Sequence, residues 1–94
     1  MSTHERSLQS IGHRLALTRQ VFGYQQNEFC ERAGIATNTY NQYEKGRRRP
    51  SIDHALALVD AYGLTLDWIY RGDPSGLHHR TAEAIKALRQ ARST

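Results

Sequence analysis

Gln25–Gly46, QQNEFCERAGIATNTYNQYEKG, decides the fold. It reads as two short helices with a glycine between them. The first spans about Gln26 to Ala33, with Phe29, Cys30 and Ala33 as its inward stripe. Gly34 supplies the left-handed backbone angle of a tight turn without steric penalty, and Ile35 faces inward to pin it. The second helix spans about Thr37 to Lys45 and stops at Gly46. Tyr40, Tyr43 and Glu44 share one of its faces; Thr37, Asn38, Asn41, Gln42 and Lys45 share the opposite one. A solvated helix face is usually rich in Glu and Lys. Thr and Asn are mediocre helix formers, so a row of short amides and hydroxyls needs another cause. Reading base edges in a DNA groove is such a cause.

The flanking sequence sharpens this. Arg47-Arg48-Arg49-Pro50 follows the second helix. Three adjacent guanidiniums repel one another unless an anion is near, and they suit phosphate oxygens. Pro50 disfavours helical angles at Arg49 and keeps the triplet extended. Residues 1–50 carry eight Lys/Arg against four Asp/Glu, residues 51–75 one against four, and residues 76–94 four against one. The net charge of +4 is thus concentrated where the amide row stands, as a polyanion-binding face requires. A basic loop that only aids solubility is the bland alternative.

Upstream, residues 1–6 read as a polar, flexible arm. Ser7 caps a first helix ending near Phe22, with Leu8, Ile11, Leu15 and Phe22 at helical spacing and Thr18 and Arg19 on the same stripe. Gly12 weakens its first turn by about 1 kcal/mol relative to Ala. Downstream, Ser51 caps a fourth helix with the apolar stripe Ile52, Ala55, Leu56, Val59 and Tyr62. Thr65 caps a short fifth helix from Leu66 to about Tyr70. Asp73-Pro74-Ser75-Gly76 is a turn and a boundary. Thr81 to about Ala91 forms a sixth, thinly apolar helix, too weak to stand alone. It packs on the domain, pairs with a second subunit, or frays.

Several classes are disfavoured. Ninety-four residues make one domain. The chain has no apolar run near the ~18 residues of a membrane span and no apolar N-terminal block. The lone Cys30 fits a reducing compartment, so the expected location is the cytoplasm. Cys30 is a small buried apolar residue, and the adjacent His78-His79 pair has no third metal ligand in sight. With no nucleophile–base pair, phosphate loop or metal spacing, neither enzyme activity nor a metal or cofactor is expected.

From about Ile11 to Asp73, two-thirds of the chain, the sequence resembles the phage repressor and Cro type of helix-turn-helix domain, also called the xenobiotic-response-element family. The resemblance rests on Gln26, Phe29-Cys30, Gly34-Ile35, Tyr40, Tyr43-Glu44-Lys45-Gly46, Arg49-Pro50-Ser51 and Gly63-Leu64-Thr65-Leu66-Asp67-Trp68-Ile69. It implies an all-α, five-helix, lambda-repressor-like fold over residues 7–73, with a short sixth helix in the tail 74–94. Thr37, Asn38 and Gln42 fall at base-reading positions, with Asn41 beside them. Gln26 would hold a phosphate, while Lys45, Arg47, Arg48 and Arg49 grip the backbone. Arg19 and Glu44 match a structural ion pair between the first and third helices. Departures are Ala36, which cannot cap the recognition helix and leaves that task to Thr37, and Thr18, where a leucine would fill the core better.

The function so implied is a sequence-specific, double-stranded DNA-binding regulator, a repressor acting on a palindromic operator as a homodimer. The dimer surface would include Trp68, Ile69 and Tyr70, with the tail adding to it; alternatively Trp68 is core and the tail packs on its own subunit. An antitoxin or restriction–modification controller, with a toxin or antirepressor as partner, shares the same features. A protein-interaction module that does not read DNA is the competing class, disfavoured by the amide face.

Overall fold

The computed structural model describes residues 3–93. A 3-10 turn, Thr3–Arg6, leads into α1 (Leu8–Phe22), α2 (Gln26–Ala33), α3 (Thr37–Glu44), α4 (Ile52–Tyr62), α5 (Leu66–Arg71) and α6 (His79–Ser93). No strand is present among the described residues. Capping chemistry sets most boundaries. The hydroxyls of Ser7, Ser51 and Thr65 accept from the backbone N–H groups of Ser10, His54 and Trp68, each satisfying an orphan donor of the first turn.

α1 is the central beam, packed against α3, α5 and α6. That explains why its burial exceeds the single stripe expected from spacing: Ile11, Leu15, Leu17, Arg14 and Thr18 are all buried. Thr18 is not a weak spot. Its Oγ1 accepts from Trp68 Nε1 at 2.9 Å and donates to the Arg14 carbonyl at 2.6 Å. A leucine there would strand the indole N–H in the core.

Arg14, 2% exposed, had no counterpart in the sequence reading. Its Nε donates to the Trp68 carbonyl at 2.9 Å and a terminal nitrogen to the Ile69 carbonyl at 3.0 Å, capping the end of α5. Burial pulls its pKa below the ordinary arginine value, and Glu5 opposes that.

The α4 stripe is rotated from the expected one. Ala55 and Leu58 are fully buried, whereas Ile52 and Leu56 are 54% and 43% exposed. The anchor is Tyr62, which stacks on Phe29 at 4.2 Å between centroids and donates its hydroxyl to the Phe29 carbonyl at 2.7 Å. Once Tyr62 is fixed on α2, Leu58 lies one turn back on the same face and Leu56 does not.

Both termini are more ordered than the sequence suggested. Residues 3–6 are not a free arm: Glu5 lies 3.7 Å from Arg14, and the Arg6 carbonyl accepts from Arg49 at 2.9 Å. Met1 and Ser2 of that segment, and Thr94 of the tail, lie outside the described residues. The sixth helix is longer than the expected Thr81–Ala91, and it packs on the rest of its own chain. Leu77 and Ile85 are buried, Ala82 and Leu88 pack against the core, Arg89 lies over the Trp68 ring at 5.6 Å, and Arg92 hydrogen-bonds Gln20. The radius of gyration is 12.2 Å, close to the ~12 Å of one compact body of this length, so no helix is splayed away. No helix among the described residues is long and apolar enough to cross a membrane.

Candidate nucleic-acid interface

The α2–turn–α3 unit is assembled as the residue pattern requires. Gly34 adopts φ 74°, and its N–H and that of Ile35 donate back to Glu31 and Cys30 carbonyls. Ile35 is buried, and Phe29 packs on Tyr40 at 5.4 Å between ring centroids. Burial pushes the Cys30 thiol pKa up, while a hydrogen bond with Thr37 draws it down. Cys30 is therefore a small core residue, poorly ionised.

Three features fix α3 on the rest of the domain. The first is a close approach at Gly12: a Cβ there would stand 2.5 Å from the Tyr43 carbonyl oxygen and 2.6 Å from that of Glu44. Only glycine lets the two backbones meet so closely. The second is the Glu44 carboxylate. It accepts from Arg19 Nε at 2.7 Å, from a terminal Arg19 nitrogen at 3.1 Å and from Gln26 Nε2 at 2.8 Å, and Arg19 also donates to the Tyr24 carbonyl at 2.9 Å. Burial pushes the Glu44 carboxyl up, but hydrogen bonds from Arg19, Tyr40 and Gln26 together hold it below the usual carboxylate value. On the other side, the Tyr43 hydroxyl meets His54 Nδ1 at 2.8 Å, tying α3 to α4.

The outward face divides by how its polar groups are engaged. Ala36 is the N-cap of α3, with no side-chain hydrogen bond. Thr37 does not take over as cap: it is the first residue of α3 and is exposed. Asn38 is exposed, and its Oδ1 accepts from the Thr39 N–H at 3.0 Å, leaving its amide nitrogen as the outward donor. Asn41 and Gln42 are half-buried, and no hydrogen bond among the described residues engages either carboxamide. Both keep donor and acceptor together, as two-pronged contact with an adenine edge demands.

The cations lie at one end of this face. Lys45, Arg47 and Arg48 are exposed and form no ion pair among the described residues. Arg49 is exposed but anchored, one guanidinium nitrogen held by the Arg6 carbonyl. Gln26, expected as a phosphate ligand, spends one amide hydrogen on Glu44 and retains the other. Neither this tether nor the one at Arg49 was legible, because each joins residues far apart in sequence. Elsewhere, His78 and His79 are exposed, and no three His, Cys, Asp or Glu residues gather as a metal site among the described residues.

A helix-turn-helix family model matches residues 15–69. The chain is 32% identical over 82 residues to the HTH-type transcriptional regulator ImmR of Bacillus subtilis strain 168, covering 87% of this chain and 65% of that one. It is 28% identical over 57 residues to the cryptic phage CTXphi transcriptional repressor RstR of Vibrio cholerae serotype O1, covering 61% of this chain and 51% of that one. The chain thus spans between half and two-thirds of the length of these relatives. No solved structure matches it.

Proposed function

The chain belongs to the helix-turn-helix family of the phage repressor and Cro type; from that premise we propose that it is a DNA-binding transcriptional regulator, a cytoplasmic, sequence-specific repressor binding a palindromic operator as a homodimer. One observation carries the sequence-specific part. Asn41 and Gln42 present unengaged carboxamides on α3, next to the exposed cations Lys45, Arg47 and Arg48. Amides that no protein group uses are suited to base edges, and cations without acidic partners to phosphates.

In this reading α3 lies in the major groove. Asn41 and Gln42 contact adenines, Asn38 donates to a base acceptor, and Thr37 stands beside them, exposed in the first turn of α3. Gln26 reaches a phosphate through its second amide hydrogen, while its first, on Glu44, fixes its direction. Lys45 and Arg47 to Arg49 hold the flanking backbone. Half-site centres stand about 34 Å apart, one turn of the duplex.

Selection of bound sequences from a random duplex pool tests the proposal. The expected product is a two-fold symmetric, A·T-containing motif. A pool that remains unenriched after repeated rounds rejects sequence-specific recognition, and an asymmetric motif rejects the dimer on a palindrome.

A further inference from the structure

We infer that Arg6 is an additional contact to the phosphate backbone of duplex DNA, forming one basic strip with Arg47, Arg48 and Arg49. The inference rests on the DNA-binding reading above and extends it to a segment that the helix-turn-helix unit does not include.

Three observations converge. The Arg49 guanidinium donates to the Arg6 carbonyl at 2.9 Å, so the N-terminal 3-10 turn and the loop after α3 are in direct contact. The same junction is closed by backbone packing, since a Cβ on Gly46 would stand 3.2 Å from Gln9 Cα. The acid of the turn, Glu5, is 3.7 Å from the buried Arg14, which compensates its charge away from the loop. Arg6 is exposed, leaving Arg6, Arg47, Arg48 and Arg49 clustered with no acidic side chain paired to any of them among the described residues.

Like charges gathered at one junction raise each other's energy unless an anion comes between them. Arg49 is the link: its guanidinium is held by a neutral carbonyl rather than by a carboxylate, so its charge stays uncompensated. A polyphosphate backbone, with regularly spaced charges, fits a strip of this kind better than a single small anion does. The turn itself is held by Glu5–Arg14 and by Arg49–Arg6, so Arg6 enters the complex already placed and loses less freedom than a floppy arm does.

The experiment measures equilibrium binding of the full chain to a random-sequence 20-bp duplex across a series of salt concentrations. Wild type is compared with Arg6→Ala, Arg6→Lys and, as a distant cation on α6, Lys86→Ala. Arg6→Ala keeps the backbone carbonyl that anchors Arg49, and an unchanged melting curve confirms that the turn persists. The expected result is a salt slope shallower by about 1 for Arg6→Ala, with affinity down about five- to tenfold at 0.1 M salt. Arg6→Lys restores the slope, and Lys86→Ala leaves it at the wild-type value. A wild-type slope for Arg6→Ala overturns this inference alone. An equal loss for Lys86→Ala also overturns it, since only net charge then matters. Failure of the wild-type chain to bind duplex at any salt overturns this inference and the DNA-binding reading together.

Discussion

Gly12 of α1 and Glu44 of α3 meet backbone to backbone, with 2.6 Å between an ideal Cβ position at Gly12 and the Glu44 carbonyl oxygen. α3 is therefore seated on α1 at a point where no side chain fits. Gly12→Ala sets two effects against each other. Helix propensity favours alanine by up to about 1 kcal/mol. Overpacking typically costs about 1–3 kcal/mol, and here the obstacle is backbone carbonyls rather than a side chain that could turn away. The second effect wins. We expect a net loss of about 2 kcal/mol and a melting temperature lower by about 10 °C, together with weaker DNA binding as α3 shifts. A variant as stable as wild type would show that the contact is slack.

Thr18 and Trp68 give a second prediction. Thr18→Val conserves shape but removes the acceptor for the indole N–H. An unsatisfied buried donor costs about 1–3 kcal/mol, so the urea midpoint should fall accordingly. The chain has one tryptophan, and its fluorescence reports the change directly. Thr18→Leu, the residue that better suits a plain apolar stripe, should be no better, since it leaves the same N–H unpaired. A stabilised Thr18→Leu variant would refute the hydrogen-bonded role.

These two sites mark the limit of what the sequence can disclose. The amide row on α3, the turn at Gly34 and the caps at Ser7, Ser51 and Thr65 are encoded locally, within three or four residues, and periodicity exposes them. Gly12, Arg14 and Thr18 act on partners 31 to 55 residues away. In sequence they look like flaws in a helix: a glycine, a charge and a hydroxyl. The α4 stripe failed for a related reason. Ile52 and Leu56 are as apolar as Leu58, and only the Tyr62–Phe29 stack chooses between the two faces.

Glu44 makes stability depend on pH. Its folded-state carboxyl is held below its ordinary value of 4.5, with burial opposing and hydrogen bonds from Arg19, Tyr40 and Gln26 prevailing. A depressed carboxylate adds stability above its unfolded-state value, and that contribution fades as pH falls through the folded-state value. Glu44→Gln should thus cost of the order of 3 kcal/mol at pH 7. The gap to wild type should narrow below pH 4.5, where the native carboxyl also becomes neutral. Parallel stability curves from pH 7 to pH 2.5 would contradict this origin of the stabilisation.

The outward amides and the basic loop should fail in different ways. Gln42→Ala removes an unengaged carboxamide and is expected to relax preference at one base position, at about 1–3 kcal/mol of discrimination. Arg48→Ala removes an exposed cation; it should weaken all sequences alike and reduce the salt slope by about 1. Affinities of both variants for the selected motif and its single-base mutants, at two salt concentrations, separate these effects. If Arg48→Ala altered the preferred sequence and Gln42→Ala did not, the two roles would have to be exchanged.

The dimer prediction follows from which apolar surface remains. Trp68 and Ile69 are fully covered within one chain, the Tyr70 hydroxyl donates to the Pro50 carbonyl at 2.8 Å, and α6 is folded over α1. The surface near α5 that could have paired two copies is thus largely consumed internally. Among the described residues, Ile52 and Leu56 are the exposed large hydrophobics. They stand one turn apart on α4, a few residues beyond the basic loop, where pairing with a second copy would set the spacing of two α3 helices. Leu56→Lys leaves the core untouched, so its effect on folding should stay within about 0.5 kcal/mol. In a homodimer paired through this face it should shift the sedimenting mass toward monomer and weaken binding to a full palindrome far more than to a half-site. Truncation after Gly76 behaves oppositely: it uncovers Trp68 and lowers the melting temperature before it reports on assembly. A Leu56→Lys variant with unchanged mass and unchanged palindrome affinity would move the dimer contact to another face.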